Sequence, residues 1–217
     1  MKLRVASYNV HGFVGRDGKC DVERIARVVR ALDADAIALQ EVTFDQPPLE
    51  LPGYRSFSTP VQRMELPFGN QVLTRLPILS QRTICLSFLG REPRNALEVV
   101  LETGARPLRV IATHLGLRPG ERRYQVKRIL EHVGGDEQSV TVLLGDFNEW
   151  FLLGRPLRWL HARFGRGPAV ATYPARFPLF ALDRVWVHPR QALQRFSAYP
   201  AARTESDHLP VLADLEL

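Results

Sequence analysis

Five apolar runs in this sequence stop on side chains that can bind a metal ion or move a proton. They end at Asn9 in "SYNVHG", at Gln40–Glu41 in "ALQEV", at Thr113–His114 in "ATHL", at Asp146 and Asn148 in "GDFN", and at Asp207–His208 in "SDHLPV". A further carboxylate, Asp183, sits in "LDRVWV", where it would face a buried side. Each has an ordinary explanation when taken singly. Asn9 reads as a turn residue, Glu41 as a solvated strand end, "GDFN" as a Gly-Asp turn and His114 as a satisfied core histidine. The set is harder to dismiss, because strand ends gathered on one rim of a rigid scaffold are where sites are built.

The chemistry such a set supports is metal-assisted hydrolysis of a phosphate ester. Glu41 and Asp207 offer hard oxygen ligands, and Asn9 a neutral one. Mg²⁺ takes few protein ligands and keeps waters and substrate phosphate in its shell. No Cys/His cluster argues for zinc, so an oxygen-ligated hard ion is expected. Asp146 and Asn148 can align and deprotonate a water. His208 and His114, if protonated, would meet the charge that develops on the phosphoryl oxygens. Asp183 is the carboxylate that would hold His208 and favour its cationic form.

These residues must be positioned by strands and helices that the hydrophobic pattern makes visible. Residues 2–10 alternate as a strand. "DVERIARVVRALDA" places Val22, Ile25, Val28, Val29 and Leu32 at helical spacing behind Asp21 as N-cap. "DAIALQEV" reads as a buried central strand. "GYRSFSTP", "NQVLTRL" and "PILSQRTICLS" read as short strands punctuated by Pro and Gly. "NALEVVLETGARPLRVIATHL" is a hairpin around residues 103–107. "PGERRYQVKRILEHV" is a helix with Pro near its start and Gly134 at its end. "SVTVLLGDFNEW" is a strand running into a polar loop, "RPLRWLHARFG" a short helix, and "LFALDRVWVHP" and "HLPVLADLEL" strands. Strands outnumber helices and are mostly hairpin-connected, which favours an α+β architecture of two packed, mostly antiparallel sheets with helices outside. With no linker or repeat, one domain over 1–217 is expected.

Composition restricts the function classes. At 217 residues, with 45% hydrophobic and 24% charged residues, the chain is that of a soluble globular protein. No run is long enough to span a bilayer, and the N-terminus enters a strand without a signal-peptide pattern, so a cytoplasmic location is expected. Two cysteines, Cys20 and Cys85, make no disulfide framework and read as reduced thiols; with Trp150, Trp159 and Trp186 they read as packing residues. The net charge of +6 comes almost wholly from Arg, which fits either a solvated basic surface or one that attracts phosphate.

Seven segments, in order and spanning the chain, resemble the endonuclease/exonuclease/phosphatase superfamily, the deoxyribonuclease I-like metal-dependent phosphoesterases. They are "SYNVHG", "ALQEV", "GNQVLTRLPI", "ATHL", "GDFN", "LDRVWV" and "SDHLPV". The resemblance implies a four-layer α/β sandwich, and Mg²⁺ or Mn²⁺ near Glu41, Asn9 and Asp207. It implies that Asp146 and Asn148 serve the nucleophilic water, that His208 and Asp183 form a pair, and that His114 contacts the scissile phosphate. Either the "GDFN" aspartate or the "SDH" histidine would act as general base. Arg94 is a further candidate for phosphate contact, against a plain reading as a solvated side chain.

Substrates in the superfamily run from nucleic acids to inositol phosphates and sphingomyelin, so the fold alone names none. Val42–Thr43 after Glu41 departs from the Thr-Lys of the abasic-site nucleases, and "LLGDFN" lacks the Trp of the Trp-x-Gly-Asp-x-Asn pattern of the inositol phosphatases. A phosphodiesterase is therefore expected, a nuclease being one form, with a phosphate-ester substrate and nucleic acid as the partners considered. The chain is expected to be a monomer without stable membrane insertion. A phosphoesterase for a phospholipid headgroup or small phosphorylated compound is the second reading, with residues 172–182 as either a substrate-side lip or a packed connection. An inactive binding module of the same fold is the third.

Overall fold

The computed structural model describes residues 1–45, 49–63, 66–104, 106–134 and 138–217. Two sheets face each other. The first has the spatial order β10 (Leu193–Ala198), β11 (Val211–Glu216), β1 (Lys2–Asn9), β2 (Ala36–Thr43), β4 (Leu66–Thr74), β3 (Arg55–Arg63). The second runs β5 (Ile78–Cys85), β6 (Asn95–Leu101), β7 (Leu108–His114), β8 (Val140–Asp146), β9 (Asp183–His188). Pairings β1–β2 and β7–β8 are parallel, and the others are antiparallel. Parallel neighbours need a crossover, since no tight turn can join them. Helix α1 (Val22–Leu32) lies in the first crossover and α2 (Pro119–Val133) in the second, while α3 (Arg155–Phe164) follows β8.

Three apolar layers hold the four structural layers together. Between the sheets lie Leu3 and Val5 of β1, Ala36 and Ala38 of β2, Val110 and Ala112 of β7, and Val142 and Leu144 of β8. Outside the first sheet, Ala6, Tyr8, Ile37 and Leu39 pack against Ile25, Val28, Val29 and Leu32 of α1. Outside the second, Ile111, Leu143 and Trp186 meet Val126 and Ile129 of α2 and Leu157 and Leu160 of α3. The helical spacing in α1 thus matches the outward parity of the strands beneath it, and Asp21 caps it by accepting from Arg24 N at 2.9 Å. Each fully buried aliphatic side chain here contributes about 1.5–3 kcal/mol relative to exposure.

The structure adds to and corrects the sequence reading in several places. β10 was not anticipated. It is an edge strand whose "LQRFSA" is half-exposed, so it shows little apolar alternation. The strand expected from Leu179 begins only at Asp183, and residue 105 of the expected 103–107 turn lies outside the described residues. Cys20 and Cys85 are free and exposed, and so is Trp150; of the residues taken for packing, Trp186 is the fully buried one. Residues 172–182 are packed in part: Thr172, Ala175 and Leu182 are buried, whereas Phe177 and Leu179 are exposed.

Candidate active site

Strand parity decides which polar side chains meet. Alternate residues point to opposite faces. Leu3 and Val5 face the inter-sheet core, so Asn9, of the same parity, does too. The same count along β7 turns His114 inward beyond Ala112, and along β8 it turns Asp146 inward beyond Leu144. Asp183 shares the face of Val185 and Val187 on β9. His114 pairs in register with Asp146, and Asp146 with Asp183, so the three form one row across the second sheet. Gly145 next to Asp146 holds φ +144, and a Cβ there would stand 1.9 Å from the Thr113 carbonyl oxygen, so only glycine lets β7 and β8 close on this row.

The first sheet supplies the facing wall. The β2–β4 register shifts between Leu39 and Val42, and Glu41 takes φ 56. Such a bulge re-aims a side chain. Here it brings Glu41 Oε1 to 3.0 Å from Asn9 Nδ2, which also donates to Asp146 Oδ2 at 3.1 Å. The segment carrying Asp207 and His208 is pinned beside β1 by Ser206 Oγ, which donates to the Asn9 carbonyl at 2.7 Å. All eight residues singled out in the sequence therefore lie in one cluster. His114 Nε2 is 3.6 Å from Asp146 Oδ2 and 3.7 Å from Glu41 Oε1, and His208 Nε2 is 3.7 Å from Asp146 Oδ2. Asn148 Nδ2 stands 3.0 Å from His114 Nε2.

His208 Nδ1 donates to Asp183 Oδ2 at 2.8 Å. Burial alone would lower the pKa of His208, but the charges of Asp183 and Asp146 and the hydrogen bond to Asp183 outweigh it and raise it to about 10. Asp146 is fully buried, and desolvation raises its pKa to about 6; the His208 charge and the bonds from Asn148 N and Asn9 Nδ2 oppose the rise. One face of this cluster is thus a held cation and a reluctant carboxylate.

Three contributors were missed or misread. Arg94 is not solvated: it is buried, donating to His114 Nδ1 at 2.8 Å and to Glu92 Oε2 at 2.5 Å. Arg94 thus faces Nδ1 of His114 while the Asn148 amide faces Nε2, so the ring is held between the two side chains. His11 follows Asn9 in a turn with φ 48, and its Nδ1 lies 3.5 Å from Asp207 Oδ1 and 3.8 Å from Glu41 Oε2. The histidine of "VHG" was a visible signal for it. Tyr173 packs on the His208 ring with centroids 4.9 Å apart, a contact across 35 positions that no local pattern announces.

Among the described residues no group of three or more His, Cys, Asp or Glu is arranged as a metal cage. A set of two carboxylates and an amide falls below that count and still suits a hard ion that keeps most of its waters. Glu41 and Asp207 both lie within 4 Å of His11 Nδ1 and are both partly open to solvent, as such an ion requires. A separate hollow at the far ends of β1 and β11 contains two ion pairs, Arg4–Asp214 at 2.8 Å and Arg75–Asp33 at 2.7 Å.

Comparison with known proteins points the same way. The model of the Endonuclease/Exonuclease/phosphatase family matches residues 6–208. YbhP of Escherichia coli K12 is 30% identical over 245 residues, covering 99% of this chain and 96% of that protein. The crystal structure of an endonuclease/exonuclease/phosphatase from Beutenbergia cavernae superposes with a TM-score of 0.81 at 24% identity, over 100% of this chain and 72% of that one. A mannosyl-6-phosphatase from Bacteroides thetaiotaomicron gives 0.82 at 19% identity, over 99% and 100%. Likenesses this distant in sequence establish the fold: two mixed sheets packed together and flanked by helices.

Proposed function

Since the chain belongs to the endonuclease/exonuclease/phosphatase family, we propose that it is a divalent-metal-dependent hydrolase that cleaves a phosphate diester by attack of water on phosphorus. The observation that carries this reading is the row His114–Asp146–Asp183 facing Asn9, Glu41, Asp207 and His208 across the end of the inter-sheet core. Neutral or cationic donors stand on one side of a carboxylate whose neighbours leave it as the proton acceptor.

Glu41, Asp207 and Asn9 would hold Mg²⁺ or Mn²⁺, which when bound supplies Lewis-acid stabilisation of charge on the phosphate oxygens. Asp146, acceptor-only when ionised, takes a proton from the attacking water as the new O–P bond forms, and Asn148 orients that water. His208, held cationic by Asp183, donates to the phosphoryl oxygens as their charge grows, and His114 beside it contacts the same phosphate. The bond from phosphorus to the leaving oxygen then breaks, and that oxygen departs with the electron pair. Arg94 acts through His114 by holding its ring in place.

Side-by-side hydrolysis of bis-p-nitrophenyl phosphate and p-nitrophenyl phosphate with Mg²⁺ tests the substrate class. The diester is expected to turn over faster. Turnover of the monoester alone would shift the reading to a phosphatase, which the mannosyl-6-phosphatase relative makes the second choice. Turnover of neither would favour a binding module.

A further inference from the structure

Apolar side chains gather on one exposed face beside the site. Seven of the twelve exposed large apolar side chains among the described residues lie between positions 150 and 180. They form two tips. Phe151 is 73% and Leu153 79% exposed on one; Phe177 is 65% and Leu179 73% exposed on the other. Both tips are rigidly built. Gly154 N donates to the Phe151 carbonyl at 2.9 Å, and Phe151 N donates to Glu149 Oε1 at 3.3 Å. The second is a tight hairpin in which Leu179 N and Phe180 N donate to the Tyr173 carbonyl at 2.9 Å each. Trp150 joins them, its ring 4.8 Å from Phe180 and 5.7 Å from Tyr173, and Tyr173 packs on His208. The patch is therefore continuous with the candidate catalytic rim.

Its charge is one-sided. From 150 to 182 the sequence contains Arg155, Arg158, Arg163, Arg166 and Arg176 and no Asp or Glu. Arg155 follows the first tip by two positions, and Arg176 adjoins Phe177, whose ring its guanidinium covers at 5.0 Å. Exposed apolar tips flanked in sequence by Arg155 and Arg176, with no acid between positions 150 and 182, match the boundary between anionic headgroups and acyl chains. A nucleic-acid backbone would be met by the arginines but would leave Leu153 and Leu179 in water. A second copy of this face would bring like charges together.

The geometry points to a docking surface for an anionic phospholipid bilayer, formed by residues 150–153 and 176–180, which sets the mouth of the site at headgroup level. No helix among the described residues is long and apolar enough to cross a membrane, and none is needed, since the tips engage only the interface. What this makes of the substrate, a phosphate ester in a lipid headgroup, rests on the phosphoesterase reading; the docking itself does not.

The test is co-sedimentation with vesicles of phosphatidylcholine alone and of phosphatidylcholine mixed with phosphatidylglycerol. The probes are the wild type, the double variant Leu153→Glu with Leu179→Glu, and the double variant Arg155→Gln with Arg176→Gln. Wild type is expected to bind the anionic vesicles, more weakly as salt rises, and the leucine variant to bind roughly tenfold or more less tightly. The arginine variant should lose the preference for anionic over neutral vesicles. Turnover of bis-p-nitrophenyl phosphate, a soluble diester, should be unchanged in both variants, since neither touches the site. Wild type that ignores both vesicle types, or a leucine variant that binds as wild type does, would overturn the docking surface. Retention by DNA and not by vesicles would do so in favour of nucleic acid. Vesicle binding without diester turnover would leave the docking standing and count against the phosphoesterase reading alone.

Discussion

Replacing His208 with asparagine is expected to lower turnover of bis-p-nitrophenyl phosphate by about 10³-fold while the protein stays folded, as steady-state kinetics and a thermal melt would show. Asparagine is chosen beside alanine for a physical reason. Asp183 is fully buried, and Oδ1 already lacks a hydrogen-bond partner. Alanine at 208 would strand its charge, a defect that costs about 3–5 kcal/mol when one member of a buried pair is removed. An asparagine amide can still donate to Asp183, but it carries no charge to the phosphate. Both variants should lose activity, and alanine should lose stability as well. The pair also predicts a pH signature. The folded pKa of His208 lies above its unfolded value of 6.5, at about 10. The stability it contributes is therefore fully present below pH 6.5 and lost as pH rises through 10. The melting temperature of wild type should fall toward that of His208→Asn between pH 7 and 10. Retention of most activity in both variants would remove His208 from the chemistry.

Asp146→Asn is expected to cost about 10³-fold in turnover of the same diester with almost no loss of stability. The asparagine oxygen can keep the bond from Asn148 N, and what is given up is the bond from Asn9, about 1 kcal/mol, together with the attraction to the His208 charge. Against that loss, a buried carboxylate whose pKa is raised by desolvation is removed, which favours the fold above pH 6. The two effects oppose one another, so a melt should move by only a few degrees. An inactive but equally stable protein would mark Asp146 as the proton acceptor. An active one would transfer that role to His208.

The residues that were legible in the sequence owe it to period two. Asn9, His114, Asp146 and Asp183 each share the parity of inter-sheet apolar residues on their own strand, so the alternation that marks the core also marks the site. The helices α1 and α2 were legible from apolar spacing and from Asp21 and Pro119 near their starts. What was not legible depends on partners far away in the chain. Arg94 looks like a surface arginine until His114, twenty positions on, supplies its acceptor. Tyr173 becomes part of the site only because the 172–180 hairpin packs on residues 207–209, where Ala175 N donates to the Asp207 carbonyl and Leu209 N to that of Thr172. β10 was hidden because an edge strand with one poorly covered face has no alternation to show. Trp150 reads as a packing residue and residues 172–182 as either a lip or a packed connection, since apolar composition does not say which side of the surface a residue lies on.

Metal dependence and the role of Glu41 are tested together by turnover of bis-p-nitrophenyl phosphate by wild type and by Glu41→Ala, each stripped with EDTA and then given Mg²⁺ or Mn²⁺. The prediction is a wild type silenced by EDTA and restored by the ion, and a Glu41→Ala variant that is folded but restored by neither. Undiminished wild-type turnover in EDTA, or a Glu41→Ala variant as active as wild type, would contradict it.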